Sequence, residues 1–154
     1  RCRYERGCVM TKEYINRIIS ILYRYNQRFL AQKLEEYSLP VEVGQLPTLI
    51  QIYKYPGITQ DGISSNVGID KGTVARTVKQ LEYAGMIVRR VDEKDRRINH
   101  IFVTPKGMKY RINIFKIIEE LHEVLYQGFC GSKIEEAISM LDRMRSNIDN
   151  VFKL

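Results

Sequence analysis

The sequence is short of the residues that most active-site chemistry requires. In 154 residues it carries two histidines, His100 and His122, and three cysteines, Cys2, Cys8 and Cys130. Each histidine stands without a neighbour at ligand spacing, so no metal is expected. An odd cysteine count with no zinc-type spacing argues against a disulfide framework. No Ser-His-Asp set, nucleophile elbow, phosphate-binding glycine loop or pair of catalytic carboxylates can be assembled, so an enzyme reading has no residues behind it and no cofactor is expected. No apolar run approaches the roughly 18–20 residues that span a bilayer. The start has charges but no apolar segment of the secretory kind. Repeats and low-complexity stretches are absent. The expectation is a soluble cytoplasmic protein with no membrane partner.

What remains is an ordered, basic chain. Its length suits one domain with a sizeable core, and 44% of the residues are apolar. Twenty-five Lys and Arg against 18 Asp and Glu give a net charge of +7, which favours polyanion partners without requiring them. Residues 1–9 differ in character from the rest, and Met10 would make a natural start, so they read as a tag or a disordered beginning. Residues 10–154 then form the single domain.

Periodicity organises that domain. Ile15, Ile18, Ile19, Leu22, Phe29, Leu30 and Leu34 recur at helical spacing over residues 12–37. The helix is long, and its apolar stripe calls for another chain to cover it. A second helix is expected over 43–53, and Tyr55-Pro56-Gly57 breaks the chain after it. Thr59 can cap a third helix over 60–67; Gly68-Ile69 turns; Asp70 can cap a fourth over 71–84, with Gly85 as its stop. Residues 86–91 and 98–103 read as strands joined by a charged tip, Asp92-Glu93-Lys94-Asp95-Arg96-Arg97. Thr104-Pro105 starts a helix that runs to the Gly128–Gly131 break, and a last helix is expected over 133–152. The fold class is mostly α with a small β wing: a winged helix-turn-helix over 43–104, flanked by dimerisation helices over 10–37 and 105–154.

Two motifs carry the functional reading. In the fourth helix Val74, Val78 and Leu81 face inward, while Gly72, Thr73, Arg76, Thr77 and Gln80 form a narrow polar face without an acid. Such a face suits a major groove, where Arg reads guanine and Gln reads adenine. Gly72 permits close backbone approach to a phosphate, and Ser64, Ser65 and the helix start at Lys71 are candidate phosphate contacts. An ordinary polar surface helix would look similar. The second motif is the tip: residues 89–97 hold five basic and three acidic side chains. Asp95 is placed to brace the Arg97 guanidinium by a paired hydrogen bond, and a braced arginine suits a narrow minor groove. Arg89, Arg90 and Arg96 are expected on phosphates. A solvated charged turn is the plainer alternative, weakened here because the tip follows directly on the reading helix.

The pattern Asp92-x-x-Asp95-x-Arg97, then Val103-Thr104-x-x-Gly107, resembles the wing signature of the MarR family of bacterial transcription regulators, with Val103 where the family usually has Leu. Ile58-Thr59-Gln60, the run Val67-Gly68-Ile69-Asp70-Lys71-Gly72-Thr73-Val74-Ala75-Arg76, and Leu81-Glu82-x-x-Gly85-Met86-Ile87 resemble its reading unit. The resemblance implies a homodimer joined through its first and last two helices. It also implies a palindromic double-stranded DNA site read by the helix near residues 71–80 in the major groove and by Arg97 in the minor groove. The regulation implied is commonly repression, relieved by a small-molecule effector or by cysteine oxidation. One departure is Asp61-Gly62, where Gly62 should soften the third helix.

A sensor role is the least specified part. Cys8 precedes the first helix, and Cys130 has no cationic neighbour nearer in sequence than Lys133, whereas a reactive thiol needs an electropositive setting. Tyr23, Tyr25, Tyr37 and Tyr110 are candidate liners of an effector pocket. His100 reads as a surface or DNA-side residue. Two alternatives stay open: a winged-helix module that binds protein instead of DNA, and a cysteine-based redox regulator.

Overall fold

The computed structural model describes residues 9–152, and side chains from Ile15 onward. The expected tag or disordered start, with Cys2 and Cys8, therefore lies outside the described side chains. The chain runs α1 (Val9–Glu36), a 3-10 turn (Val43–Gln45), α2 (Leu46–Lys54), α3 (Gln60–Val67), α4 (Lys71–Tyr83), β1 (Ile87–Val91), β2 (Asn99–Val103), α5 (Pro105–Met108), α6 (Arg111–Tyr126) and α7 (Gly131–Phe152). It divides into two compact units, one ending at Ile118 and one beginning at Glu119.

Local chemistry sets the helix ends. Thr59 caps α3 by accepting the Gly62 N–H at 3.1 Å, and Gly68 ends it with φ +65°. Asp70 caps α4 by accepting the Thr73 N–H at 2.9 Å. Gly62 does not interrupt α3. Its N–H is the donor the cap satisfies, and a Cβ there would meet Ile58 Cγ1 at 3.1 Å. Thr59→Ala is expected to cost about 0.5–2 kcal/mol, with Thr59→Ser nearly neutral, in urea denaturation followed by circular dichroism.

The core of the first unit is made by Leu46, Leu49, Ile52 and Tyr53 of α2, Ile63 of α3, Val74, Val78 and Leu81 of α4, Met86 and Ile87, Ile101 of β2, and Ile114 and Ile117 of α6, all buried. Tyr53 also meets Phe115 with ring centroids 6.0 Å apart. The wing is an antiparallel pair in which Ile87 faces Val103 and Val91 faces Asn99. Ile101 also bridges to Ile58, with Gly57 N–H donating to Ile101 O at 2.9 Å and Ile101 N–H to Ile58 O at 3.1 Å. The wing is thereby tied to the segment that enters α3.

The wing's root is held by a set of bonds around Thr104. Its hydroxyl donates to the Gly85 carbonyl at 2.7 Å, and its own oxygen accepts the Gly107 N–H at 3.1 Å. Lys106 Nζ reaches the Ala84 carbonyl at 2.7 Å. The Tyr53 hydroxyl donates to the Gly107 carbonyl at 2.7 Å, and burial pushes the Tyr53 phenol up to about 12, with Arg111 opposing.

One expected element is corrected. The helix starting at Thr104-Pro105 does not run unbroken to residue 127; α5 ends at Met108 and α6 starts at Arg111. The Gly107 carbonyl takes the Tyr53 hydroxyl and the Tyr110 N–H, at 2.7 and 3.2 Å, which tightens the chain there. In the second unit α7 starts at Gly131, two residues earlier than expected, and has no buried residue. Among the described residues no helix is long and apolar enough to cross a membrane.

Candidate nucleic-acid interface

Helix α4 presents Lys71, Gly72, Arg76, Lys79 and Gln80 as exposed residues, with Thr73 half-buried. Its cap fixes the first turn: Asp70 is held below the usual carboxylate range mainly by its hydrogen bonds to Thr73. The Arg76 guanidinium lies 3.4 Å from Thr73 Oγ1, and Gln80 Oε1 accepts from Gln45 of the 3-10 turn at 3.4 Å. Both are long contacts that a stronger partner can displace. Lys71 forms an exposed ion pair with Asp61 at 2.8 Å.

Three expected placements change. Thr77 does not share the exposed face; it is only 7% exposed and belongs to the buried stripe Val74, Thr77, Val78, Leu81. Those positions follow the spacing i, i+3, i+4, i+7 of a core-facing helix. Ser64 is not a free donor, because its hydroxyl is given to the Ile69 carbonyl at 2.6 Å and closes the turn between α3 and α4; Ser65 stays exposed. Arg89 is not an unattached cation: Nε and Nη2 both reach Glu82 Oε2, at 3.0 and 2.5 Å. That bond holds Glu82 below its usual range and clamps β1 to the end of α4.

The wing tip is a built turn. Asp92 Oδ1 accepts the N–H groups of Lys94 and Asp95 at 2.8 and 2.9 Å. Asp92 N–H donates to the Ile98 carbonyl, and Ile98 N–H to the Asp95 carbonyl, both at 2.9 Å. The bonds anticipated between Asp95 and Arg97 are present: Oδ1 accepts the Arg97 N–H at 3.0 Å and Nε at 3.2 Å, and Oδ2 accepts Nη2 at 3.4 Å. The Arg97 side chain is nonetheless 91% exposed, so it is oriented without being covered. Arg96 is exposed, and Arg90 lies over the Phe102 ring at 5.0 Å. Arg97 and Arg89 line an open concavity of about 380 Å³ with Thr59, Gln60 and Asn99.

His100 is a residue whose part sequence reasoning missed. Its Nδ1 lies 2.8 Å from the Gly57 carbonyl and its Nε2 2.9 Å from Asp92 Oδ2. The Gly57 carbonyl first and then Asp92 raise its pKa above the ordinary value, while Asp92 is held down to about 2 by the turn N–H groups and the imidazole. The contact to Gly57 spans 43 positions, so no local pattern reveals it.

Other candidates are less assembled. Cys130 is exposed, and its thiol is lowered by the Ser132 hydroxyl at 3.3 Å and by backbone N–H groups at the start of α7, a setting that its spacing to Lys133 does not disclose. Tyr23 and Tyr25 are each 63% exposed, and Tyr37 lies under the Lys116 ammonium at 5.4 Å. Among the described residues no group of three His, Cys, Asp or Glu side chains could hold a metal.

Two capped helices, the second exposing polar side chains, followed by an arginine-tipped hairpin pinned to the helical core, define the winged helix-turn-helix class of DNA-binding proteins. The sequence pattern of the MarR family matches residues 41–98. YybA of Bacillus subtilis, an uncharacterized HTH-type transcriptional regulator, is 34% identical over 116 residues, covering 75% of this chain and 77% of the relative. A MarR transcriptional regulator from Methanosarcina mazei, known as a crystal structure, is 37% identical with a TM-score of 0.77 over 90% of this chain and 99% of that one. The fold is also shared with a mutant MarR from E. coli crystallised with operator DNA, at 18% identity and a TM-score of 0.76 over 92% and 99% of the two chains. The chain belongs to the MarR family of DNA-binding transcription regulators.

Proposed function

We propose that the chain is a homodimeric regulator that binds a palindromic double-stranded operator, inserting α4 into the major groove and Arg97 into the minor groove. The observation that carries this reading is Arg97, solvent-exposed yet held in one orientation by Asp95. A pre-oriented guanidinium loses little freedom on entering a narrow groove, where negative potential is focused. On α4 the side chains left for base edges are Thr73, Arg76 and Gln80, while Lys71, Gly72 and Ser65 serve the backbone. Arg90 and Arg96 complete the phosphate contacts, and Arg89 acts through Glu82 by fixing the wing's root.

Dimerisation is supported by unpartnered apolar stripes. On α1 Ile15, Ile18, Ile19 and Leu22 are each about 40% exposed, and on α7 Ile138, Leu141 and Ile148 each exceed 50%. A second copy is the simplest cover for them. Repression relieved by a small-molecule effector completes the proposal, and the family resemblance supports it. Selection of bound duplexes from a random library, repeated with candidate effectors, tests binding, palindromy and response together.

Arg97→Ala is expected to weaken operator binding by about 1–3 kcal/mol for each subunit whose arginine is removed from the groove. Arg97→Lys should recover only part of this, because it keeps charge but not the planar fork. Unchanged gel-shift affinity of Arg97→Ala at fixed salt would remove the minor-groove role.

A further inference from the structure

The wing contains a histidine whose two nitrogens both face acceptors. Nδ1 meets the Gly57 carbonyl oxygen at 2.8 Å and Nε2 meets the Asp92 carboxylate at 2.9 Å. A neutral imidazole has one N–H and one lone pair, so it can satisfy only one of them; the imidazolium has two N–H groups and satisfies both. From His100 a short relay leads to the DNA-facing side chain. Asp92 binds His100 through Oδ2 and the Lys94 and Asp95 N–H groups through Oδ1. Asp95 in turn orients Arg97 through both carboxylate oxygens. On its other side His100 grips Gly57, whose N–H already pairs with Ile101 and which stands two residues before the α3 cap, Thr59.

We propose that His100 is a positioning residue of the wing, and that its doubly donating cation holds the tip in the geometry that reads DNA, so that operator affinity falls as the imidazole loses its proton. This rests on the DNA-binding reading above and adds a proton-dependent control to it.

The surrounding charges are few. The concavity beside His100 is lined by Arg90, Asp92, Glu93, Lys94 and Phe102. Arg90 is also the cross-strand partner of His100, with its guanidinium over Phe102. The segment that supplies the Gly57 carbonyl follows Lys54, the last residue of α2, and Tyr55, both exposed. Of the two carboxylates, Asp92 makes the direct contact.

The direction follows from the two shifts. His100 is raised, so its contribution is complete below the ordinary histidine value of about 6.5 and is lost as pH climbs through the raised value. Asp92 is lowered to about 2, so its contribution is complete above the ordinary carboxylate range and is lost as pH falls through about 2. The pair is intact between those limits, and the edge that matters near neutrality is the upper one.

The test combines an NMR titration with operator-binding anisotropy from about pH 5.5 to 8.5 at fixed ionic strength, on the full chain and a duplex selected at about pH 6, below the ordinary histidine value. The chain has only His100 and His122, so the imidazole signals are separable by a His122→Gln variant. Wild-type affinity should fall by up to about tenfold per pH unit for each subunit across the His100 titration, whereas His100→Gln, which cannot titrate, should give a flat profile. Asp92→Asn offers an amide N–H that a neutral imidazole can accept, so the His100 titration should move down and the affinity profile should flatten. Parallel pH profiles for wild type and His100→Gln would overturn the proposal while leaving DNA binding intact. Failure of the wild type to bind any selected duplex would overturn DNA binding, and the control with it, even if His100 still titrates high by NMR.

Discussion

Operator binding is expected to weaken by about 10³ to 10⁵ between about 50 and 200 mM salt, the loss produced when some 6–10 phosphates are neutralised. The magnitude arises from counterions released when lysine and arginine replace them along the duplex, so it depends on how many cations are free to do so. The structure sorts them. Lys71 is paired with Asp61, Arg89 with Glu82 and Arg97 with Asp95, whereas Arg90 and Arg96 stand on the wing and Arg76 and Lys79 on α4 with exposed side chains. Arg96→Ala should therefore flatten the slope of log affinity against log salt by about one per subunit, with little change in sequence preference. Fluorescence anisotropy over a salt series gives the slope directly. A flat response in the wild type would favour the protein-binding winged-helix alternative.

The largest stability effect is expected at Gly107. A Cβ added there would overlap the Met86 carbonyl oxygen and lie 2.8 Å from Val103 Cγ1. Neither the backbone oxygen nor the β2 residue can swing aside as the end of a long side chain would. Relief requires α5 to move off the wing's root, which also lengthens the buried Tyr53 bond to the Gly107 carbonyl. Overpacking and the weakened bond together should cost roughly 3–5 kcal/mol. Chemical denaturation of Gly107→Ala should show a midpoint far below that of wild type, and Tyr53→Phe, which removes only the bond, should fall between them. A Gly107→Ala midpoint equal to wild type would mean the close approach is not maintained in solution.

The two central helices are legible in the sequence because caps are local. Thr59 and Asp70 bond to N–H groups three residues on, and the Asp95 brace on Arg97 spans two. Thr77 is harder to place because it stands at the border of the helix stripe; its spacing from Val74 and Leu81 serves the core as well as its hydroxyl suits the surface. The break between α5 and α6 is hidden because the Tyr53 hydroxyl that helps fix it comes from 54 residues away. The same holds for His100, whose partner Gly57 belongs to a different segment, and for Arg89, whose partner Glu82 lies across a helix end and a turn. Bonds made by the chain with its near neighbours can be read from order alone; those made by the fold cannot.

The wing's division into a pinned root and a self-bonded tip has an evolutionary consequence. Thr104, Gly107 and Ile101 tie the root to the core, whereas Glu93, Lys94, Arg96 and Arg97 present exposed side chains on a turn whose backbone bonds run through Asp92, Asp95 and Ile98. Exchanging the exposed four leaves those backbone bonds intact. With the tip reading the operator as proposed, descendants of this chain can drift towards new operators there while selection for folding acts on a separate set of positions.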